Sequence, residues 1–153
     1  VRTDMTRFTA EVAEIYSPPR VTLEAERWGF KRGLAMDLTT GWDFRKPADR
    51  KKAWEYVDKE KPLLLIGSPM CTMHSPWQRL NKVRSMQTCR KRHKEARRHL
   101  EFVCALYEDQ LRRGKLLLHE PPDQASSWEE RCIQRILKRA GVSVTAGCVT
   151  VSM

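Results

Sequence analysis

The amino-acid sequence predicts a three-layer α/β domain, a sheet of mostly parallel strands with helices on both faces. Short apolar runs alternate along the chain with segments of helical periodicity, and Pro or Gly sits at most of the junctions. The polar and reactive residues collect just after the apolar runs, at the carboxyl ends of the predicted strands, where open α/β sheets bind ligands.

Residues 11–16 alternate in part and run into Ser17-Pro18-Pro19, a strand followed by a turn. A first helix follows, because Pro is tolerated in a first turn; Val21, Ala25 and Trp28 share its apolar face, and Gly29 ends it. Residues 33–38 form a second strand ending in Asp37. Pro47 opens a second helix with Ala53, Trp54 and Val57 on one face, closing at Lys61-Pro62. Leu63-Leu64-Leu65-Ile66 reads as a strand covered on both sides. From Val83, positions Met86, Cys89, His93, Ala96, Leu100, Val103, Tyr107 and Leu111 step by threes and fours, the stripe of one long amphipathic helix that Gly114 terminates. Residues 116–120 read as another buried strand. Ser127-Trp128-Glu129-Glu130 reads as a capping box before a helix that buries Trp128, Cys132, Ile133, Ile136, Leu137 and Ala140; Gly141 ends it before strand-like 142–145.

The chain has 153 residues, enough for one domain with loose ends at 1–10 and 148–153, and its 41% hydrophobic content suffices for a core. Its longest strongly apolar run falls far short of the roughly 20 residues of a membrane span, and no signal segment opens it. An odd count of five cysteines without tight pairing favours reduced thiols. The expectation is a soluble intracellular protein, nuclear or cytoplasmic. The first residue is Val, which suggests a piece of a longer reading frame.

The net charge of +10 is concentrated in one place. Between positions 79 and 98 lie Arg79, Lys82, Arg84, Arg90, Lys91, Arg92, Lys94, Arg97 and Arg98, against the single acid Glu95. Such a cluster suits phosphate contacts that release counterions; a merely solvated helix face is the alternative.

The loop Gly67-Ser68-Pro69-Met70-Cys71-Thr72-Met73-His74-Ser75 resembles the Gly-x-Pro-Pro-Cys-Gln-x-Phe-Ser loop of cytosine-5 DNA methyltransferases, with Cys71 on the nucleophile. The layout agrees as well: Ile15-Tyr16-Ser17 matches the family's first strand and turn, Ala35-Met36-Asp37 its second strand with terminal acid, and Glu120 the acid of its third landmark. The chain is also similar to methyltransferase-like segments of mobile-element polyproteins. The resemblance implies a Rossmann-like, class I methyltransferase fold, truncated by a strand–helix unit and the substrate domain. It implies S-adenosylmethionine held by Tyr16, Ser17, Asp37, Ser68 and Pro69, and DNA as partner, with the rest of a polyprotein as a second. A noncatalytic nucleic-acid-binding segment of a retroelement polyprotein, using the basic helix 79–98, is the competing expectation.

In such chemistry a thiolate adds to ring carbon 6 of cytosine and makes carbon 5 electron-rich. A nearby carboxyl, here Glu120, holds the ring nitrogen and exocyclic amine through that state. The base must leave the duplex, which calls for phosphate anchors near the pocket. The sequence departs from the family where Ser17-Pro18-Pro19-Arg20 replaces a Gly-rich turn, removing two N–H donors, and where Thr72 and Pro121 follow the two key residues. The later arginine-bearing motif and target-recognition domain have no counterpart, so activity of this chain alone is not expected.

Cys89, Cys104 and Cys132 fall on helical stripes and read as core, as do Trp28, Trp54 and Trp128; Trp42 and Trp77 lie in loops, as core or lid. Cys71 with His74 and Cys89 with His93 have ligand-like spacing, but the second pair fits a buried helix face, and no metal is expected. His119 reads as a strand-end polar residue in preference to a general base.

Overall fold

The structure is a computed structural model that describes residues 10–69, 86–121 and 125–145. Its centre is a four-stranded, all-parallel sheet of β1 (Val12–Ile15), β2 (Arg32–Met36), β3 (Leu64–Gly67) and β4 (Leu116–His119), in the order β2-β1-β3-β4. The helices are α1 (Val21–Arg27), α2 (Pro47–Glu60), α3 (Met86–Arg112) and α4 (Arg131–Leu137), with short 3-10 turns at Leu38–Thr40 and Ser126–Glu129. The chain steps outward from β1 to β2, then crosses back over β1 to lay down β3 and β4. The carboxyl ends of β1 and β3 therefore flank the switch point of a Rossmann-like α/β sheet, where such folds leave a crevice.

Register assigns the two faces. Ala13 pairs with Leu65 and Leu65 with Leu117, while Ile15 pairs with Met36 and Gly67 and Gly67 with His119, so these residues share one side. That side packs on α2 and α3 through Ala53, Val57, Val103 and Tyr107, and α4 adds Ile133 and Ile136. Burying a Leu, Ile or Val is worth about 1.5–3 kcal/mol, so this side supplies most of the drive to fold. The opposite side carries Val12, Glu14, Leu64, Ile66, Leu116 and Leu118, and α1 covers it only over β1 and β2.

Local chemistry sets the boundaries. Pro47 occupies the first turn of α2, and Lys61 closes that helix in the left-handed conformation (φ 48°) just ahead of Pro62. Gly114 (φ 67°) ends α3, and the Gln110 side-chain amide donates to the carbonyls of Pro62 and Leu116, tying the helix end to the entries of β3 and β4.

Several expectations are corrected. Trp28 follows the last residue of α1 and is 77% exposed, because the seven-residue helix ends before the ring can reach the sheet. His93 shares the face of Ala96, Leu100, Val103 and Tyr107 on α3 yet is exposed, because burial on that face is complete only from Leu100 onward. Leu116 (56% exposed) and Leu118 (43%) show that β4 is covered on one side only. The predicted capping box does not form: residues 126–129 make a 3-10 turn, Ser127 Oγ is buried with no hydrogen-bond partner among the described residues, and α4 starts after Glu130 with no side-chain cap. Ala140 is exposed and residues 142–145 are not a strand. Ala10, assigned to a loose end, is buried. Trp54 and Trp128 pack against the core as expected, and Trp42 joins them.

Candidate functional site at the carboxyl end of the sheet

The site is built where β1, β3 and β4 end. Beyond β1, Tyr16 takes a left-handed conformation (φ 59°) that turns the chain. Its ring packs 4.8 Å from that of Phe44, and its hydroxyl meets Nδ1 of His99 on α3 at 2.8 Å. Burial raises the Tyr16 pKa, against a smaller opposing pull from Arg50. Burial likewise lowers that of His99, against Glu95. Tyr16 thus links the end of β1 to the helix that carries the basic cluster.

Ser17 turns back into the protein. Its hydroxyl donates to Glu14 Oε2 at 2.9 Å, while Glu14 Oε1 accepts from the Arg20 N–H (3.1 Å), the Thr22 N–H (2.7 Å) and the Thr22 hydroxyl (2.8 Å). Glu14 is fully buried, and its carboxylate occupies the start of α1. Sequence reasoning passed over this residue; an acid between Ala13 and Ile15 in a buried strand is the signal, since a buried carboxylate needs donors aimed at it.

These contacts bear on the expected cofactor. The amino-acid end of S-adenosylmethionine needs free backbone donors after the first strand. Pro18 and Pro19 have none, and the amides of Arg20 and Thr22 are engaged by Glu14. Asp37, which a ribose would need, uses Oδ2 on the Thr39 amide and hydroxyl at 3.0 and 2.8 Å, in a cap that Thr40 completes. The turn does not fit that group.

Between β3 and β4 the ladder continues past the strands. Glu120 N–H donates to the Gly67 carbonyl at 3.0 Å, and the Ser68 amide to that of Ile15 at 3.1 Å, so Ser68 stands between the ends of β1 and β4. Its hydroxyl points to Glu120 Oε2 at 3.5 Å, the outer limit of hydrogen-bonding range, and the carboxylate is open to solvent. Pro69 is buried beside them. One register step earlier, the Tyr107 hydroxyl meets His119 Nδ1 at 3.1 Å and Trp128 stacks edge-on against the imidazole. Burial holds the His119 pKa down to about 4, so the ring is neutral at pH 7 and serves packing, as its strand-end position predicts.

The structure therefore brings Ser17, Ser68, Pro69 and Glu120 to one end of three adjacent strands, and keeps Asp37 apart in its own cap. Cys71, Arg79, Lys82, Arg84, Trp77 and His74 lie outside the described residues, as do the side chains of Met86 and Cys89. Arg90, Lys91, Lys94, Arg97 and Arg98 are exposed on α3, and spacing turns Lys91, Lys94 and Arg98 away from buried Leu100 while Arg90 and Arg97 flank it; Arg92 is half-buried. Arg97 also pairs with Glu130 at 3.3 Å. Among the described residues no group of three or more His, Cys, Asp or Glu is placed to hold a metal ion, and no helix is long and apolar enough to cross a membrane.

No family model, curated protein or solved structure matches the chain.

Proposed function

We propose that the chain is a degenerate or partial cytosine-5 DNA methyltransferase-like domain, of class I methyltransferase type with a strand–helix unit lacking, that binds nucleic acid at the carboxyl end of its sheet. The observation that carries this reading is the placement of Glu120 against Ser68, three residues before Cys71, at the ends of neighbouring parallel strands. A base drawn into that end would meet the Cys71 thiolate at ring carbon 6. The Glu120 carboxyl would hold the ring nitrogen and exocyclic amine, and the exposed cations of α3 would anchor flanking phosphates. The turn after β1 does not fit the methyl donor, so this reading stops at base capture and includes no methyl transfer.

A second reading is favoured by the Glu14 contacts that use the amides of that turn: a noncatalytic nucleic-acid-binding segment of a retroelement polyprotein, in which α3 matters and Cys71 does not. One experiment separates the two. DNA carrying 5-azacytosine, whose ring is activated at carbon 6 without a methyl donor, is incubated with the wild-type chain and with Cys71→Ala. A denaturant-stable adduct that Cys71→Ala loses supports the first reading; salt-dependent binding without adduct supports the second. Exchanging Arg90, Lys94 and Arg98 for Glu should weaken binding and lower the salt slope by about one for each phosphate contact removed. Unchanged binding by that variant would overturn the role given to α3 in both.

A further inference from the structure

Helices α3 and α4 pack together, and each contributes one cysteine to their interface: Cys104 from the middle of α3, and Cys132 from the first turn of α4. Both are free thiols in the same core cluster. Their thiols lie close enough across the interface to perturb each other. The neighbouring Cys104 lowers the Cys132 pKa, while Cys132 and burial raise that of Cys104. Both are largely buried, at 4% and 9% exposure. Both line a cleft of about 310 Å³ whose other walls are Glu101, Ala105, Glu108 and Arg135. Cys132 and Arg135 also line an adjoining cleft of about 810 Å³, where Arg97 and Arg131 stand among Glu101, Glu129 and Glu130.

We propose that Cys104 and Cys132 form a reactive dithiol that accepts a small peptide disulfide, glutathione disulfide being the chemical type, and closes into a bond between α3 and α4. The Cys132 thiolate attacks one sulfur of the ligand, forming a mixed disulfide and breaking the ligand's S–S bond, with one thiolate released. That thiolate takes up the Cys104 proton. The Cys104 sulfur then attacks Cys132, breaks the mixed disulfide and releases the second thiolate, which is protonated from water. Two protein thiols are oxidised and one ligand disulfide is reduced to two thiols. The mixed lining of the two clefts, glutamates beside arginines, suits a ligand that carries both amino and carboxylate groups, and the paired sulfurs explain why the bond closes within the chain instead of leaving the peptide attached.

The test is a peptide map of the whole chain after exposure to glutathione disulfide and alkylation of the remaining thiols. Trypsin cuts after Arg98, Arg112, Arg131 and Arg135, so Cys104 lies in peptide 99–112 and Cys132 in 132–135. The expected result is one dominant cross-link between those peptides, reversed by dithiothreitol, and Cys104→Ser should instead retain glutathione on Cys132. Recovery of both peptides singly alkylated, or of 132–135 joined to a peptide holding Cys71, Cys89 or Cys148, would overturn the proposal. The wild-type map decides the matter even if the variant fails to fold.

Discussion

Tyr107 on α3 and His119 at the end of β4 stand with their rings edge-on, centroids 5.6 Å apart, and the Tyr107 hydroxyl reaches past Gly67 to the His119 Nδ1. The pair closes the core directly beneath the strand ends that carry Ser68 and Glu120. Its two partners are both perturbed by burial, which raises the tyrosine and lowers the histidine, so the neutral forms are the native ones.

A pH dependence follows from the histidine. Its native pKa of about 4 lies below the ordinary 6.5, so the unfolded chain binds more protons between those values and stability falls as pH drops through that window. The loss from pH 7 to pH 5 should be about 2 kcal/mol for this group. His99 is shifted the same way, so the contribution of His119 is read as the difference between wild type and His119→Gln in urea denaturation at the two pH values. Parallel pH profiles for the two proteins would refute the assignment.

Gly67 is required by the same contact. A Cβ there would collide with the Tyr107 hydroxyl and come within 2.8 Å of Cζ and 3.0 Å of Val103 Cγ2. Gly67→Ala should cost about 1–3 kcal/mol through overpacking. Tyr107→Phe alone should cost about 1 kcal/mol for its hydrogen bond. In the double variant the penalties should fall short of their sum, because the atom most in the way is gone; strict additivity in chemical denaturation would count against this geometry.

At the other end of the site, Glu14 gathers two hydroxyls and two backbone amides into the start of α1. Glu14→Ala leaves the Thr22 amide and hydroxyl buried without that acceptor and should lower stability by about 3 kcal/mol. Glu14→Gln keeps one acceptor oxygen, on which three of the four bonds converge, and should cost about half as much. Thermal melts of the two variants check the ranking, and an alanine variant as stable as the glutamine one would show that the carboxylate does not hold the helix.

The strands and the long helices were legible because their signals are local. Leu63–Ile66 and Leu116–Leu118 are apolar runs, and the stripe through Leu100, Val103 and Tyr107 has helical period whatever it packs against. Less legible was which apolar residues find cover. Trp28 fits a helical face in sequence, yet among the described residues no element lies over it, and Leu116 and Leu118 depend on a layer that α1 does not extend to supply. Ser127 fails as a cap because the chain around it forms a 3-10 turn and buries the hydroxyl. Of the candidate site, the strand-end placement of Tyr16, Ser17, Ser68 and Glu120 followed from βα alternation alone. The acceptor role of Glu14 did not, since it rests on amides six and eight residues further along that only the folded turn brings back.

Among the described residues one short helix, α1, covers one side against three helices on the other, which divides the molecule into parts of unequal persistence. Opening α1 releases seven residues and one cluster of polar bonds, whereas opening α3 dismantles the packed interior. In deuterium labelling the amides of Val21–Arg27 should therefore exchange through a low-energy excursion that leaves β1 and β3 protected, and the slowest amides should mark the global unfolding event at the sheet's centre.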